Sequence, residues 1–171
     1  MLPAFDPPFS VVLVHPQIPP NTGNVARLCA VTGAQLHLVE PLGFSIADKD
    51  LRRAGLDYWD QVVAEIHPDL ESWEARANWP RVHLFSAHAA KGLWEADFRP
   101  GDTLVFGSEQ HGLPKELLER RYAHTVGIPQ RPGLRSLNLS TAAGIALYEA
   151  LRQAQVSAAR HAHMAATPKA E

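Results

Sequence analysis

Ile128-Pro129-Gln130-Arg131-Pro132-Gly133-Leu134-Arg135-Ser136-Leu137-Asn138-Leu139-Ser140-Thr141-Ala142-Ala143-Gly144-Ile145-Ala146-Leu147-Tyr148-Glu149 is the stretch around which the chain is organised. It continues a short apolar strand, Thr125 to Ile128. Pro129 and Pro132 stiffen the loop that follows, and Gly133 bends it. That loop carries Arg131, Arg135, Ser136 and Asn138. The chain then enters a helix with Asn138 or Ser140 as its cap, since either side chain can accept a hydrogen bond from a free first-turn N–H. Polar groups in a rigid loop between strand and helix suit a ligand site at the carboxyl end of a parallel sheet. An ordinary loop before a well-capped helix has the same local signature, so the rest of the chain decides.

Working outward, Ser10 to Val14 is a continuous apolar run, as expected of a strand covered on both faces. A loop rich in turn residues, 15–24, follows it. The spacing predicts a helix from about Asn24 to Thr32, with Val25, Leu28, Cys29 and Thr32 on one face and Gly33 as its stop. Arg27 lies off that face. Further strands are expected at Gln35 to Val39, Gln61 to Ile66, Arg81 to Ser86, Asp102 to Phe106 and Thr125 to Ile128. Helices are expected at 48–54 (with Lys49, Arg52 and Arg53), at 68–77 with Pro68 in the first turn, from Pro114 to about Arg120, and from Leu139 to about Gln155. In the last of these, Ile145, Tyr148 and Leu151 are read as one face. Strands alternating with helices predict an α/β domain with a mostly parallel sheet. The loops 15–24, 107–114 and 129–138 all follow strands and so share one edge of that sheet.

The 171 residues make one domain, read as residues 10–157. A proline-rich lead-in (1–9) is expected to be loose, and an unpatterned tail (158–171) to be disordered. A hydrophobic content of 46% with 20% charged residues is that of an ordinary globular protein. No apolar run approaches the ~20 residues that span a bilayer, and the first nine residues lack the basic-then-apolar order of a signal peptide. The single cysteine, Cys29, excludes an intrachain disulfide and fits a reducing, cytoplasmic setting. A formal net charge of −2 argues against holding nucleic acid by bulk charge, while leaving room for a local basic patch.

Several chemistries are not signalled. The chain has no Gly-x-Gly-x-x-Gly and no Gly-x-x-x-x-Gly-Lys-Ser/Thr. It has no His-Glu-x-x-His and no Cys-x-x-Cys, so no metal is expected, and the histidines of the tail, His161 and His163, read as solvated. Ser108 follows Gly107 but does not sit in Gly-x-Ser-x-Gly, which argues against a serine hydrolase.

Three ordered motifs remain. Asn21-Thr22-Gly23-Asn24-x-x-Arg27-Leu28-Cys29-Ala30, Phe106-Gly107-x-Glu109-x-x-Gly112-Leu113-Pro114, and Ile128-Pro129 with Arg135-Ser136-Leu137-Asn138-Leu139-Ser140 resemble the motifs of the SPOUT methyltransferases. Ile18-Pro19-Pro20 and Leu51-Arg52-Arg53-Ala54-Gly55-Leu56-Asp57-Tyr58 narrow the resemblance to the branch that methylates the ribose 2′-hydroxyl of the tRNA wobble nucleotide, leucine tRNAs included. The resemblance covers about residues 10 to 155. It implies an α/β fold with a C-terminal trefoil knot, a homodimer paired through the last helix, S-adenosylmethionine as methyl donor and a tRNA anticodon stem-loop as partner. No topology rule would have suggested the knot, since true knots are rare.

By resemblance, Ala87, Gly107, Ile128, Ser136 and Leu137 would hold the cofactor. Arg27, Glu109, Ser136 and Asn138 would be the catalytic and substrate-facing group. Asn21, Asn24, Arg52, Arg53, Arg131 and Arg135 would contact RNA. A guanidinium hardly deprotonates in a protein, so Arg27 suits stabilisation of a developing alkoxide better than proton removal. Taken alone, each of these residues has a plainer reading: an exposed helix arginine, a solvated loop glutamate, a cap. Gln110-His111 stands where the family carries a threonine-arginine pair, which removes a positive charge beside the site. The same chemistry at another RNA position, or a non-catalytic RNA- or cofactor-binding module, are the competing readings.

Overall fold

The computed structural model describes residues 2–45, 59–133 and 135–166. The expected helix at 48–54, with Lys49, Arg52 and Arg53, lies outside them, as does Leu134. The strands are β1 Ser10–Val14, β2 Gln35–Val39, β3 Val63–His67, β4 Val82–Phe85, β5 Lys91–Gly92, β6 Thr103–Phe106 and β7 Thr125–Gly127. The helices are α1 Pro19–Thr32, α2 Trp59–Val62, α3 Leu70–Glu74, α4 Lys115–Arg120 and α5 Leu139–Ala166. The strands form one sheet in the order β3-β2-β1-β6-β4-β7-β5. Every pairing between them is parallel, as the α/β reading requires.

Side chains alternate across a strand, and β1 shows what the alternation builds. Val11 and Leu13 join a large core with Leu36, Leu38, Leu104 and Phe106 from the sheet, Val25 and Cys29 from α1, and Leu147 and Leu151 from α5. Val12 and Val14 join a smaller core on the other face with Val39, Leu84 and Val105, covered by Trp73 of α3 and Leu117 of α4. A central strand buried on both sides has no polar positions, which is why β1 reads as an unbroken apolar run.

Several expected boundaries shift for physical reasons. The first helix begins at Pro19 rather than near Asn24, because two prolines fit a first turn whose N–H groups need no intrahelical partner. Asn21 to Asn24 are therefore helical and not loop. It ends as expected at Gly33, whose φ is 74°. The third strand is Val63–His67, entered from α2. The helix expected at 68–77 is only α3, because Asp69 caps it by accepting from the Ser72 N–H at 2.7 Å. The two-residue β5 was not foreseen; it is too short to carry a periodicity. α5 presents Ala143, Ala146, Leu147, Ala150, Leu151 and Ala154 to the core, while Ile145 and Tyr148 are 39% and 51% exposed. At 100° per residue, Ile145 and Leu151 stand about 120° apart and cannot share a face. α5 also continues through Ala166, past the expected end near Gln155 and into the expected disordered tail. The alanine-rich sequence there favours helix without needing an apolar face. Residues 2–9 are held rather than loose: Phe9 is in the core and Phe5 packs edge-on against it at 5.9 Å.

At the amino edge of the sheet, buried Asp102 gathers three groups. Arg81 Nη2 lies 2.6 Å from its Oδ1, while His83 Nε2 and the Arg99 N–H each lie 2.9 Å from its Oδ2. The carboxylate ties β4 to the turn that enters β6. At the carboxyl edge, β1, β6, β4 and β7 are neighbours, so the loops leaving them lie side by side.

Candidate active site

The loop after β6 closes on itself. Ser108 N–H donates to Gly112 O at 3.1 Å and Gly112 N–H to Ser108 O at 2.9 Å. A Cβ on Gly107 would stand 1.9 Å from Gly112 C, so no side chain fits at 107. The glycine is thus required by its own loop, not only by a ligand. Gly112, at φ 69°, makes the return turn.

Glu109 leaves this loop toward the start of α1. That helix has no side-chain cap at Ile18 and no acidic residue in its first turn. Glu109 supplies both from a distance. Its Oε2 accepts from the Gln17 N–H at 2.8 Å, and its Oε1 accepts from the Ile18 N–H at 3.1 Å and from Asn21 Nδ2 at 3.0 Å. A carboxylate favours a helix amino terminus by charge as well as by hydrogen bonding. It only accepts, so it fixes the Asn21 amide, turning the carbonyl oxygen to Asn138 Nδ2 at 2.9 Å. Asn138 Oδ1 in turn accepts from the N–H groups of Ser140 at 2.9 Å and Thr141 at 3.3 Å. Asn138, rather than Ser140, is therefore the cap of α5. One relay, Glu109–Asn21–Asn138, joins the loop after β6 and the approach to α5 to the first turn of α1.

Beside the relay lies a cleft of about 340 Å³. Ala87, Gly107, Ile128, Ser136 and Leu137 all line it, although they come from the ends of β4, β6 and β7 and from the approach to α5. Phe85 and Phe106, the last residues of β4 and β6, stack 4.6 Å apart and form its apolar wall. Phe85 was missed in the sequence and Phe106, which opens the second motif, was given no site role, yet the rule that strand carboxyl ends line the site points to both. His88, Gln110 and His111 add polar groups to the rim.

The other expected residues fall into two sets. Glu109 borders the cleft, but its oxygens are committed to Gln17, Ile18 and Asn21, so by geometry it positions loops. Asn21, 6% exposed, and Asn138 work with it. Arg27 and Asn24 lie on the solvent side of α1, and Arg131 and Arg135 on the exposed loop before α5; none lines the cleft. Among the described residues, the three arginines make no hydrogen bond or ion pair. Arg52 and Arg53 lie outside the described residues. Cys29 is buried, and burial pushes its thiol up to about 12; it packs rather than reacts.

A curated relative, the tRNA (cytidine(34)-2'-O)-methyltransferase of Burkholderia ambifaria, is 50% identical over 149 residues, covering 85% of this chain and 96% of its own. A solved structure described as giving structural insights into the 2-OH methylation of C/U34 on tRNA superposes with a TM-score of 0.79 at 46% identity, over 85% of this chain and 95% of that one. The SpoU methyltransferase AviRb from Streptomyces viridochromogenes, solved in complex with the cofactor AdoMet, superposes with a TM-score of 0.75 at 27% identity, over 91% of this chain and 61% of that one. Matched over residues 8–148, a span that holds the whole parallel sheet, the cleft and the Glu109–Asn21–Asn138 relay, the chain belongs to the SpoU rRNA methylase family.

Proposed function

We propose that this protein is an S-adenosylmethionine-dependent methyltransferase that methylates the ribose 2′-hydroxyl of the wobble nucleotide, position 34, of tRNA. The observation that carries this reading is the cleft: five residues singled out for the cofactor meet around one space. Its volume is in the range of small-molecule sites. Its aromatic and aliphatic wall, with a few polar groups at the rim, suits a nucleoside bearing a charged sulfonium. The substrate follows from the relatives, whose names specify the 2′-O position and nucleotide 34.

When bound, S-adenosylmethionine supplies an electrophilic methyl group. Phe85, Phe106, Ile128 and Leu137 give the cleft its apolar lining, and the Ser136 hydroxyl would orient the ligand. The relay holds the two loops and the first turn of α1 in one geometry, which is what an in-line displacement needs from its enzyme. The Arg27 guanidinium serves the negative charge that grows on the ribose oxygen. Arg131, Arg135 and Asn24 meet the phosphates of the anticodon stem-loop, contacts that set affinity and its salt dependence. The protein acts as a homodimer. Val31 on α1 and Ile145 and Tyr148 on α5 are exposed apolar side chains that pairing through these helices covers. Action in the cytoplasm fits the free, buried thiol of Cys29 and a chain in which, among the described residues, no helix is long and apolar enough to cross a membrane.

Transfer of a labelled methyl group from S-adenosylmethionine to bulk tRNA, followed by nuclease digestion and mass mapping, tests the reading. Label on the ribose of nucleotide 34 is expected. Label on a base, or on the ribose of another nucleotide, overturns it.

A further inference from the structure

At the edge of the sheet opposite the cleft, His37 of β2 meets Glu65 and His67 of β3. We propose that these three side chains form a site for a divalent cation of the zinc class, with His37 Nδ1 and His67 Nε2 as two ligands and the Glu65 carboxylate as the third donor.

The strand register builds the cluster. Leu36 is level with Val63, but the pairing then shifts, so that His37 is level with Glu65 and Val39 with His67. The irregularity skips Ala64, and without it Glu65 would point to the wrong face. Bulges re-aim side chains in this way. Leu36, Leu38 and Ile66 face the large core, so the alternating positions His37, Glu65 and His67 share the opposite face.

The spacing is already that of a coordination site. His37 Nδ1 and His67 Nε2 are 3.2 Å apart, with their rings stacked at 5.4 Å. Two nitrogens bound tetrahedrally at ~2.05 Å from zinc lie about 3.3 Å apart. The two nitrogens now share one hydrogen bond; with the cation between them, the proton in that bond would move to the outer nitrogen of its own ring, leaving each neutral imidazole a lone pair for the ion. The donor atoms of all three residues lie within 4.8 Å of one another. His67 is 3% exposed, yet its Nδ1 has no hydrogen-bond partner. Glu65 Oε1 stands 3.9 Å from that nitrogen. Turned toward the ion, this carboxylate completes a donor set of two imidazoles and one carboxylate. Arg76 competes, since it is paired with Glu65, but its side chain is 63% exposed and can return to solvent at little cost. Two imidazoles and a carboxylate with an open side for water suit zinc or cobalt rather than magnesium or calcium. The ion would pin the edge strand β3 to β2.

The test uses full-length protein without an affinity tag, stripped with a chelator. Zn²⁺ alone is titrated by calorimetry, and Co²⁺ alone by visible absorption. The expected result is one equivalent per chain, a Co²⁺ ligand-field band of low-coordinate type, and a rise in Tm with Zn²⁺. His37→Gln and, separately, Glu65→Gln should each weaken binding by about tenfold or more. Both positions are only partly buried, and each variant's metal-free Tm, matched to wild type, certifies its fold. Replacing the tail histidines, His161→Ala with His163→Ala, should leave the equivalent in place. No saturable equivalent, one indifferent to His37→Gln, or one lost with the tail histidines overturns the site.

Discussion

Asn138 Nδ2 donates to Asn21 Oδ1 at 2.9 Å, across 117 positions of the chain. The bond closes a relay whose other end is the Glu109 carboxylate. Asn21→Asp would set a second carboxylate against Glu109 in place of the amide N–H it accepts from, while Asn138 Nδ2 keeps an acceptor. Asn21→Ala removes the contacts without adding charge. We expect Asn21→Asp to lower Tm and methyl transfer more than Asn21→Ala does, with the gap narrowing as salt is raised. Equal effects of the two would remove charge from the account of the relay.

Gly107→Ala tests the self-closed loop. The added methyl meets the Gly112–Leu113 backbone, which cannot yield as a side-chain end can. A cost of about 1–3 kcal/mol is expected from overpacking alone, together with loss of S-adenosylmethionine binding by calorimetry. Wild-type affinity at wild-type Tm would mean that the loop is not built as described.

Arg135 is exposed and does not line the cleft. Arg135→Ala should leave cofactor affinity unchanged, reduce methyl transfer to tRNA at least ~tenfold, and shallow the salt dependence of tRNA binding by about one phosphate contact. Unchanged turnover would take Arg135 out of the RNA surface.

Asp102→Ala should be the most destabilising of these changes, since it strands a buried imidazole and part of a guanidinium. We expect about 2–4 kcal/mol in chemical denaturation. Because the carboxylate lies at the amino edge of the sheet, cofactor affinity in the folded fraction should be unchanged.

Cys29 should be silent to a thiol reagent at pH 8 in the native protein and react fully on unfolding. Burial raises its pKa from 9.0 to about 12. Protons are therefore bound more tightly in the folded state, so stability should decline as pH rises above 9 toward 12. Cys29→Ser should flatten that part of the profile. Rapid labelling under native conditions would contradict the burial.

How far the chain could be read in advance follows from where its information is stored. β1 and β2 were legible because Val11 to Val14 and Leu36 to Val39 bury both or alternate faces, and burial leaves a period in the sequence. Most of the cleft was legible through the second and third motifs, each local in sequence, while the first motif supplies Asn21 of the relay and lines none of it. The relay was not: Glu109 as a cap for α1 has no sequence signature, because the helix it caps begins at Pro19, 90 positions earlier. Nor was the His37–Glu65–His67 cluster, whose members come together through a register shift at Ala64. Ile145, Tyr148 and Leu151 were grouped on one face because large apolar side chains outweighed the alanines at 143, 146, 150 and 154, which form the core face with Leu147 and Leu151.

The long reach of the Asn21–Asn138 bond also sets a clock. A ribosome adding roughly 5–20 residues per second needs about 6–23 seconds to pass from residue 21 to residue 138. For roughly the first three-quarters of that interval the first turn of α1 lacks Glu109 and β1 lacks its partner β6, and to its end Asn21 lacks Asn138. Contacts so far apart in sequence form slowly. The cleft is therefore among the last parts of the molecule to be completed, after nearly the whole chain has emerged, and a nascent protein cannot engage its substrate while still being made.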